Sequence, residues 1–597
     1  MTFRRSLRKN FVVCKKLAAD DLVSLIRKFQ GNKVMVFDRA LAGPTNLIAP
    51  PKILESHGVT KILPLETGVL PPDIPETILF ICRPLVHLMP KIVSCIQNEE
   101  RKGRQKSYHL CFVPQKSLLC TKWLEAKRYI SKLSSVEELP LLLFPLDTDV
   151  LSLELESTYK EFYVENDPTS MYYIAKALVF LQRKYGIPNS IFGKGQGAKF
   201  VYELMQSIQQ ETGTIKPQII GAKIENIILI DRQVDLLSPL VTQLTYEGLI
   251  DEFYGINCNH VKLPGEKFAE VKNPGDKKTV VLNSSEALFA EMRDKNFSAV
   301  GGLLRAKTKE IQDILVQKDT AQSLGEMKRL VQQLPAVNTL KQSISNHTSI
   351  AELLKKNTES DDFLSSLECE QELLNGMGND RVNPHIEDLC SKKAPFLKLL
   401  RLLIIQCITC GGLKPKVLQD YERLIIHNYG FEQVLSLRRL NEIGLLKGQS
   451  ANRAYSVLRR AFNLIVCDGS ETTPEDFAYV HSIYAPLSIR LVQHRLKPNL
   501  WNSVRESLQS LLPGPIVDEE TEISLVQNSV VSVDKNSPKT TLVVFIGGCT
   551  YAEISALRFL AQHEDDWEFL VVTTKVINGN TFLTNLFDPL GKKVDAA

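Results

Sequence analysis

The sequence predicts an α/β protein built on two doubly wound parallel sheets, with a large, mainly helical region inserted before the second sheet is complete. Three observations carry this reading. Short apolar runs alternate with helical or turn segments over the first part of the chain, the pattern of parallel strands joined by crossover helices. A second block of such runs follows and breaks off at Gly255. From there to about residue 480 the chain reads almost entirely as helix, until β-rich runs return at 540–576. The economical arrangement lets these late strands complete the second sheet.

In chain order, six basic residues (Arg4, Arg5, Arg8, Lys9, Lys15, Lys16) precede the first acid, Asp20. An Arg-rich, acid-free start has the composition of a transit peptide. A helix over 17–30, with Leu22, Leu25, Ile26 and Phe29 on one stripe, leads straight into KVMVFD and favours a plain basic extension. Strands are expected at KVMVFD (33–38), TKILPL (60–65), TILFIC (77–82) and YHLCFV (108–113), closing a first domain over 1–138. LPLLLFPL (139–146), a helix over 168–185, FGKG and IENIILID open the second domain, 139–250 and 483–597, whose last strands are TTLVVFIGG and WEFLVVTTK. The helical third domain, 251–482, begins with a polar loop at Pro264 to Lys278.

Composition narrows the class. The 597 residues are 44% hydrophobic, with 72 basic against 68 acidic side chains and a net charge of +4, so bulk charge demands neither nucleic acid nor a membrane. Twelve scattered cysteines fit reduced core thiols in an intracellular protein rather than a disulfide framework. Phe396 to Leu413, the most apolar stretch, is interrupted by Lys398 and Arg401 and reads as a buried helix rather than a membrane span.

The most informative stretch is IENIILIDRQVDLLSPLVTQLTYEGLIDEFYG (224–255). A buried strand ends in Asp231-Arg232. Ser238-Pro239 has the form of an N-cap and first helical residue, and Gly255 is a natural helix stop. Asp231, Asp235, Glu247 and Asp251 therefore crowd one strand-to-helix junction. A divalent metal would satisfy them, and so would arginines, of which Arg232 and Arg490 are the best placed; a structural charge network is the preferred reading.

Gly193 to Ala198 fits G-x-G-x-x-A, but no acid follows at the ribose-binding distance and the phosphate-loop spacing is absent, so tight helix–sheet packing explains the glycines better. Cys407-x-x-Cys410 lies inside an apolar helix with no second pair, which favours core thiols over zinc. Thr550 to Glu553 reads as a capping box. No catalytic residue, metal ligand or cofactor is assigned. The alternative is a nucleotide- or metal-dependent enzyme using the Gly193–Ala198 loop and the acidic junction.

The pattern Asp231-Arg232, Asp235, Pro239-Leu240, Thr245-Tyr246-Glu247 resembles the signature of the Sec/Munc (SM) family, which binds SNAREs and controls membrane fusion. VVFIGGCTYAEISALRFL (543–560) is similar to the same family's C-terminal signature. FVPQKSLLC (112–120), FGKGQGAKF (192–200), SNHTSIAELL (345–354) and YAPLSIRLVQ (484–493) resemble the family's endolysosomal branch. The resemblance implies a three-domain arch with a discontinuous second domain. It also implies a non-enzymatic role: templating SNARE assembly at late endosomes and lysosomes or vacuoles, within the HOPS and CORVET tethering complexes. The implied location is cytoplasmic and peripheral to those membranes. The implied partners are syntaxin-type and R-type SNAREs and vacuolar protein sorting-associated protein 16 with its fellow subunits.

Two helical segments carry that reading. In 322–356, Leu340, Ile344, His347, Ala351 and Leu354 recur at heptad-like spacing after Pro335, which is expected to break the helix and fold it into a bent pair. On the residues alone an ordinary buried hairpin is the preferred reading; the resemblance instead places SNARE contacts at Lys328, Val331, Leu334, Pro335, Leu340, Ile344, His347 and Ala351. In 412–447 two short helices meet at Tyr429-Gly430-Phe431; Glu422, Glu432 and Glu442 offset the basic residues there and argue against DNA. The resemblance makes this unit the dock for protein 16, with Phe431 and Val434 as anchors and Tyr429 and Leu435 beside them.

Overall fold

The computed structural model describes residues 8–66, 68–213, 224–268, 273, 275–320, 324–376, 381–449, 454–467, 470–496, 500–520, 539–564 and 566–587; at 8–13, 315–320, 324–334 and 500 it describes the backbone alone. The chain forms two compact units, one running to Glu154 and the other from Leu155 onward.

In the first unit β1 (Lys33–Phe37), β2 (Val59–Pro64), β3 (Thr77–Cys82), β4 (Ser107–Phe112) and β5 (Leu133–Glu138) lie in the order β2-β1-β3-β4-β5. All pairings are parallel, with Val34 opposite Ile78 and Ile78 opposite Tyr108. Helices α1 (Arg8–Arg27), α2 (Arg39–Ile48), α3 (Pro51–Ser56), α4 (Met89–Arg101) and α5 (Leu118–Ala126) complete the unit, and a separate apolar core forms on each face of the sheet. Strands covered on both faces need continuous apolar runs, which is why β1 and β3 stand out in the sequence. β5, LSSVEE, was not expected: it is an edge strand with no fully buried residue, so nothing forces apolar alternation. Of LPLLLFPL only the last part is a strand of the second sheet, two residues long rather than eight. Leu139, Leu141 and Phe144 join the core of the first unit, and only Phe144–Pro145 (β6) pairs, antiparallel, with β7 (Val150–Ser152).

In the second unit β8 (Ser190–Lys194), β9 (Asn226–Asp231), β12 (Ile516–Glu520), β13 (Lys539–Ile546) and β14 (Trp567–Thr573) run in the order β12-β8-β9-β13-β14. Thr541 pairs with Asn226 and Ile546 with Asp231, so strands some 300 residues apart in sequence are neighbours and the late strands complete the sheet as expected. β12 alone in this group runs antiparallel, against β8. Around the sheet lie α6 (Thr158–Tyr163), α7 (Thr169–Tyr185), α8 (Gln196–Thr212) and α9 (Tyr246–Tyr254).

The inserted region supplies α10 (Ala287–Met292), α11 (Phe297–Thr320), α12 (Leu324–Thr358), α13 (Asp361–Leu374), α14 (Val382–Ser391), α15 (Phe396–Cys410), α16 (Pro415–Tyr429), α17 (Gln433–Ile443) and α18 (Ala454–Ala461). The chain then adds α19 (Leu487–Leu496), α20 (Arg505–Leu511), α21 (Tyr551–His563) and α22 (Gly579–Leu586). As expected, α15 is a buried helix; no helix among the described residues is long and apolar enough to cross a membrane.

Three local expectations are corrected. β10 (His260–Pro264) and β11 (Lys277–Val281) pair antiparallel on either side of the expected loop, taking its first and last residues; Val261, Leu263 and Val280 face a core and hold the pair. Ser238-Pro239 does not start a helix. Asp235 captures the Ser238 amide (3.0 Å) and hydroxyl, and α9 begins at Tyr246 behind Thr245, whose side chain accepts from the Gly248 amide (3.2 Å). Finally, α12 is continuous through Pro335. The missing N–H costs one hydrogen bond, on an exposed side of a helix whose other residues pack against α11 and the body of the unit.

Candidate functional site

The signature stretch builds a buried ionic junction. Asp231 ends β9 and is fully buried, which pushes its carboxyl pKa up; the Tyr163 hydroxyl, the Gln233 amide (3.0 Å), the Gly197 amide (2.7 Å) and the Arg232 charge work against that shift. Arg232 turns the other way. Its Nη1 and Nη2 bind Glu553 bidentately (2.9 and 3.0 Å), and its Nε donates to the Asp235 carbonyl (2.8 Å). Burial opposes the guanidinium charge, but Glu553 and Asp235 outweigh it and hold the proton more tightly than usual. Glu553 is the N3 residue of the expected Thr550 capping box, so one carboxylate both closes a helix start and neutralises Arg232. Asp235 also accepts from the Ser488 amide at 3.0 Å, which ties α19 to this point.

The four carboxylates do not share one cation. Asp251 accepts from the Ile256 amide (2.9 Å) and Asn578 (3.0 Å), and burial lifts its pKa to about 6. Glu247 lies 3.5 Å from Arg558, which also pairs with Asp294 at 2.9 Å. Arg490 is not part of this set, contrary to expectation. It pairs with Asp476 at 2.9 Å and lies over the Phe477 ring, 4.4 Å from its centroid. Sequence reasoning missed Tyr163, Ser488, Arg558 and Asn578, which sit far along the chain and carry no local pattern. Glu553 was visible as a cap but not as an ion-pair partner.

This junction also decides the glycine loop. The Gly197 amide at the start of α8, where a phosphate would sit in a nucleotide site, donates instead to Asp231 Oδ2, and a Cβ at Gly195 would collide with the same aspartate. Gly193 lies against Leu229 and Ala198, the close helix–sheet packing expected of it. Titration with ATP, GTP or Mg²⁺ is therefore expected to leave the melting temperature unchanged. A ligand at 100 times its Kd would add about 2.7 kcal/mol, and a shift of that order would mean that a nucleotide displaces Asp231. Cys407 is a buried thiol bonded to the Lys447 backbone.

On the outside, α11 and α12 pack together and enclose a groove of about 880 Å³, with Phe297, Leu304, Thr308 and Ala351 among its lining residues. Of the expected SNARE contacts, Ala351 lines this groove. Ile344 and Leu340 pack on the core beneath, and His347 is fully buried, bonded to Tyr246 (2.9 Å) and Glu286 (2.9 Å) and stacked on Phe289. The heptad-like stripe is therefore the inward face that fixes α12, because an apolar stripe marks burial without saying against what. The side chains of Lys328, Val331 and Leu334 lie outside the described residues. Pro335 is exposed on a helix that is already extended. Pro335→Ala is accordingly expected to leave affinity for a helical ligand of this surface within about twofold, since an already populated competent state carries no penalty to remove. A large gain by titration calorimetry would show that a bent form dominates in solution.

Gly430, at φ 99°, ends α16 and turns the chain into α17. Phe431 is 75% exposed, Val434 44% and Leu435 47%. Phe431 stands in the turn before α17 and Val434 and Leu435 in its first turn, while Gln433, Ser436, Leu437 and Leu440 are buried. Large apolar groups grouped in this way mark an interaction surface. Tyr429 is not part of it: its hydroxyl donates to the Ala394 carbonyl (2.6 Å) and its ring packs on Phe396.

Fold and site together define an α/β scaffold on two large sheets, with an internal ionic cluster and, among its exposed features, a helical groove and an apolar patch. The chain belongs to the Sec1 family, whose model matches residues 33–585, in agreement with the two SM signatures. It is 42% identical, over 97% of this chain and 98% of that protein, to vacuolar protein sorting-associated protein 33A of Rattus norvegicus. Two solved structures share the fold over 96% of this chain, both at 15% identity and a TM-score of 0.59. They are the SM protein Vps45 in complex with the Qa SNARE Tlg2 (97% of that chain) and the Unc18–syntaxin 1 complex from Monosiga brevicollis (98% of that chain).

Proposed function

We propose that the protein is a non-enzymatic, SM-type chaperone that binds SNARE helices and templates their assembly for membrane fusion at late endosomes and lysosomes or vacuoles. It acts as a subunit of the HOPS tethering complex, with CORVET the second complex open to it. It is cytoplasmic and peripheral, held at membranes through that complex. The observation that carries the reading is the groove between α11 and α12, which has the apolar floor and polar rim that an amphipathic helix requires. The vacuolar sorting relative and the SNARE-bound family structures support the same reading. Docking on vacuolar protein sorting-associated protein 16 is assigned to Phe431, Val434 and Leu435.

Thr308 is exposed on the groove wall, so Thr308→Trp fills the groove without disturbing the core. The expected result is at least a tenfold loss of affinity for syntaxin-type and R-type SNARE helices, about 1.4 kcal/mol, at an unchanged melting temperature. Full affinity in this variant would move the SNARE site elsewhere.

A further inference from the structure

The first unit carries a second feature that the SNARE reading does not use. Residues 91–132 hold ten Lys and Arg against three Asp and Glu. Topology gathers much of that charge on one edge. α4 and α5 are crossover helices, so their C-terminal ends lie where β4 and β5 begin, at the N-terminal edge of the parallel sheet. Arg101 ends α4, Lys127 and Arg128 follow α5, and all three are exposed, with no carboxylate in ion-pair contact among the described residues. The acids of this region are mostly answered: buried Glu99 by Lys102 (2.7 Å) and Arg104 (3.6 Å), and Glu100 by Lys132 (2.7 Å).

Beside them the same edge contains a cavity of about 660 Å³ whose lining includes Lys61, Arg104 and Lys106. The backbone of the loop before β3 fixes these cations. Lys61 Nζ donates to the Asp73 carbonyl (2.7 Å), Arg104 Nη1 to Pro72 (2.6 Å), and Lys106 Nζ to Ile74 and Pro75 (2.8 and 3.0 Å). Each keeps further N–H donors. Two carboxylates, Asp73 and Glu76, also line the cavity and Arg104 answers Glu99, so the positive excess of this edge comes from the flanking Arg101, Lys127 and Arg128. The size is that of a small-ligand site, and no exposed large hydrophobic lines it, which distinguishes it from a protein-binding surface with an apolar anchor.

The geometry points to a binding site for a multiply phosphorylated inositol headgroup, with Lys61, Arg104 and Lys106 as phosphate donors and Arg101, Lys127 and Arg128 as the surrounding field. Phosphate oxygens suit such donors because each accepts several charge-assisted hydrogen bonds. A phosphoinositide in a membrane and a free inositol polyphosphate offer the same chemistry. The site is independent of the SNARE groove and would add a direct lipid contact to attachment through a complex.

The test uses the full chain, sedimented with phosphatidylcholine vesicles containing phosphatidylinositol bisphosphate or an equal charge of phosphatidylserine, and titrated with soluble inositol hexakisphosphate. The expected result is at least tenfold preference for the bisphosphate vesicles, competition by the soluble ligand, and weakening as salt rises. Binding of the soluble ligand without the vesicles would make the free polyphosphate the source. Lys61→Glu with Lys106→Glu should abolish binding. Because Lys106 also pins the loop, Lys127→Ala with Arg128→Ala serves as a second variant at positions free of such a role, expected to weaken binding several-fold at an unchanged melting temperature. Asp73→Asn should strengthen it. Equal binding to both vesicle types, no binding of any phosphorylated probe, or indifference to Asp73→Asn and to both cation variants would overturn the proposal. Binding of an acidic peptide alone would overturn it in favour of a protein partner.

Discussion

Replacing Arg232 by methionine is expected to lower the apparent melting temperature more than any other single change at the junction. Arg232 and Glu553 are both fully buried and bidentately paired. Removing one partner of such a pair leaves a buried carboxylate without its counter-charge, at about 3–5 kcal/mol. Glu553 would retain only the Thr550 cap and the Ser488 hydroxyl. Arg232→Met with Glu553→Gln should recover much of the loss, because a neutral amide can keep the cap without stranding a charge. Arg490→Trp is expected to cost less: its partner Asp476 is partly open to solvent and also caps the turn that follows. Thermal unfolding of the three variants checks the ranking, and an Arg490 effect equal to that of Arg232 would contradict the division of the junction into separate pairs.

Phe431→Asp is expected to abolish co-purification with vacuolar protein sorting-associated protein 16 while leaving the fold intact. An exposed residue has little to lose in the free chain, so stability should stay within about 0.5 kcal/mol. At an interface centre the same ring is the kind of anchor whose loss costs about 2 kcal/mol or more, some 30-fold in Kd, and a buried aspartate adds its own desolvation cost. Val434→Asp should act in the same direction, whereas Tyr429→Phe should not, since the Tyr429 hydroxyl serves Ala394 rather than the surface. Undiminished binding by Phe431→Asp would remove this patch from the interface.

Much of the architecture follows from the chain alone. Strands covered on both faces must be continuously apolar, so KVMVF, TILFIC, NIILID and KTTLVVFI declare themselves. The Thr550 capping box and the Gly255 stop are local devices that a few residues determine completely. The two SM signatures named the family because they are long and in order. Polar edge strands such as LSSVEE left no such mark, and neither did the β10–β11 hairpin, whose alternation is too short to separate from loop.

What only the tertiary structure decided is which groups meet. An apolar periodicity states that a face is buried but not by what: the resemblance assigned Ile344 and His347 to a partner helix, and the structure buries them against the chain's own core. A carboxylate seeks the nearest donor in space, not in sequence. Asp231 therefore went to Tyr163 and Gly197, Asp251 to Asn578, and Arg232 to a glutamate more than 300 residues away, while Arg490 found Asp476. Proline's cost in a helix is finite, and packing along the rest of α12 outweighs it. Sequence determined the elements and the family, because both depend on local pattern. Pairing depended on positions that the chain fixes only once both ends of the second sheet have come together.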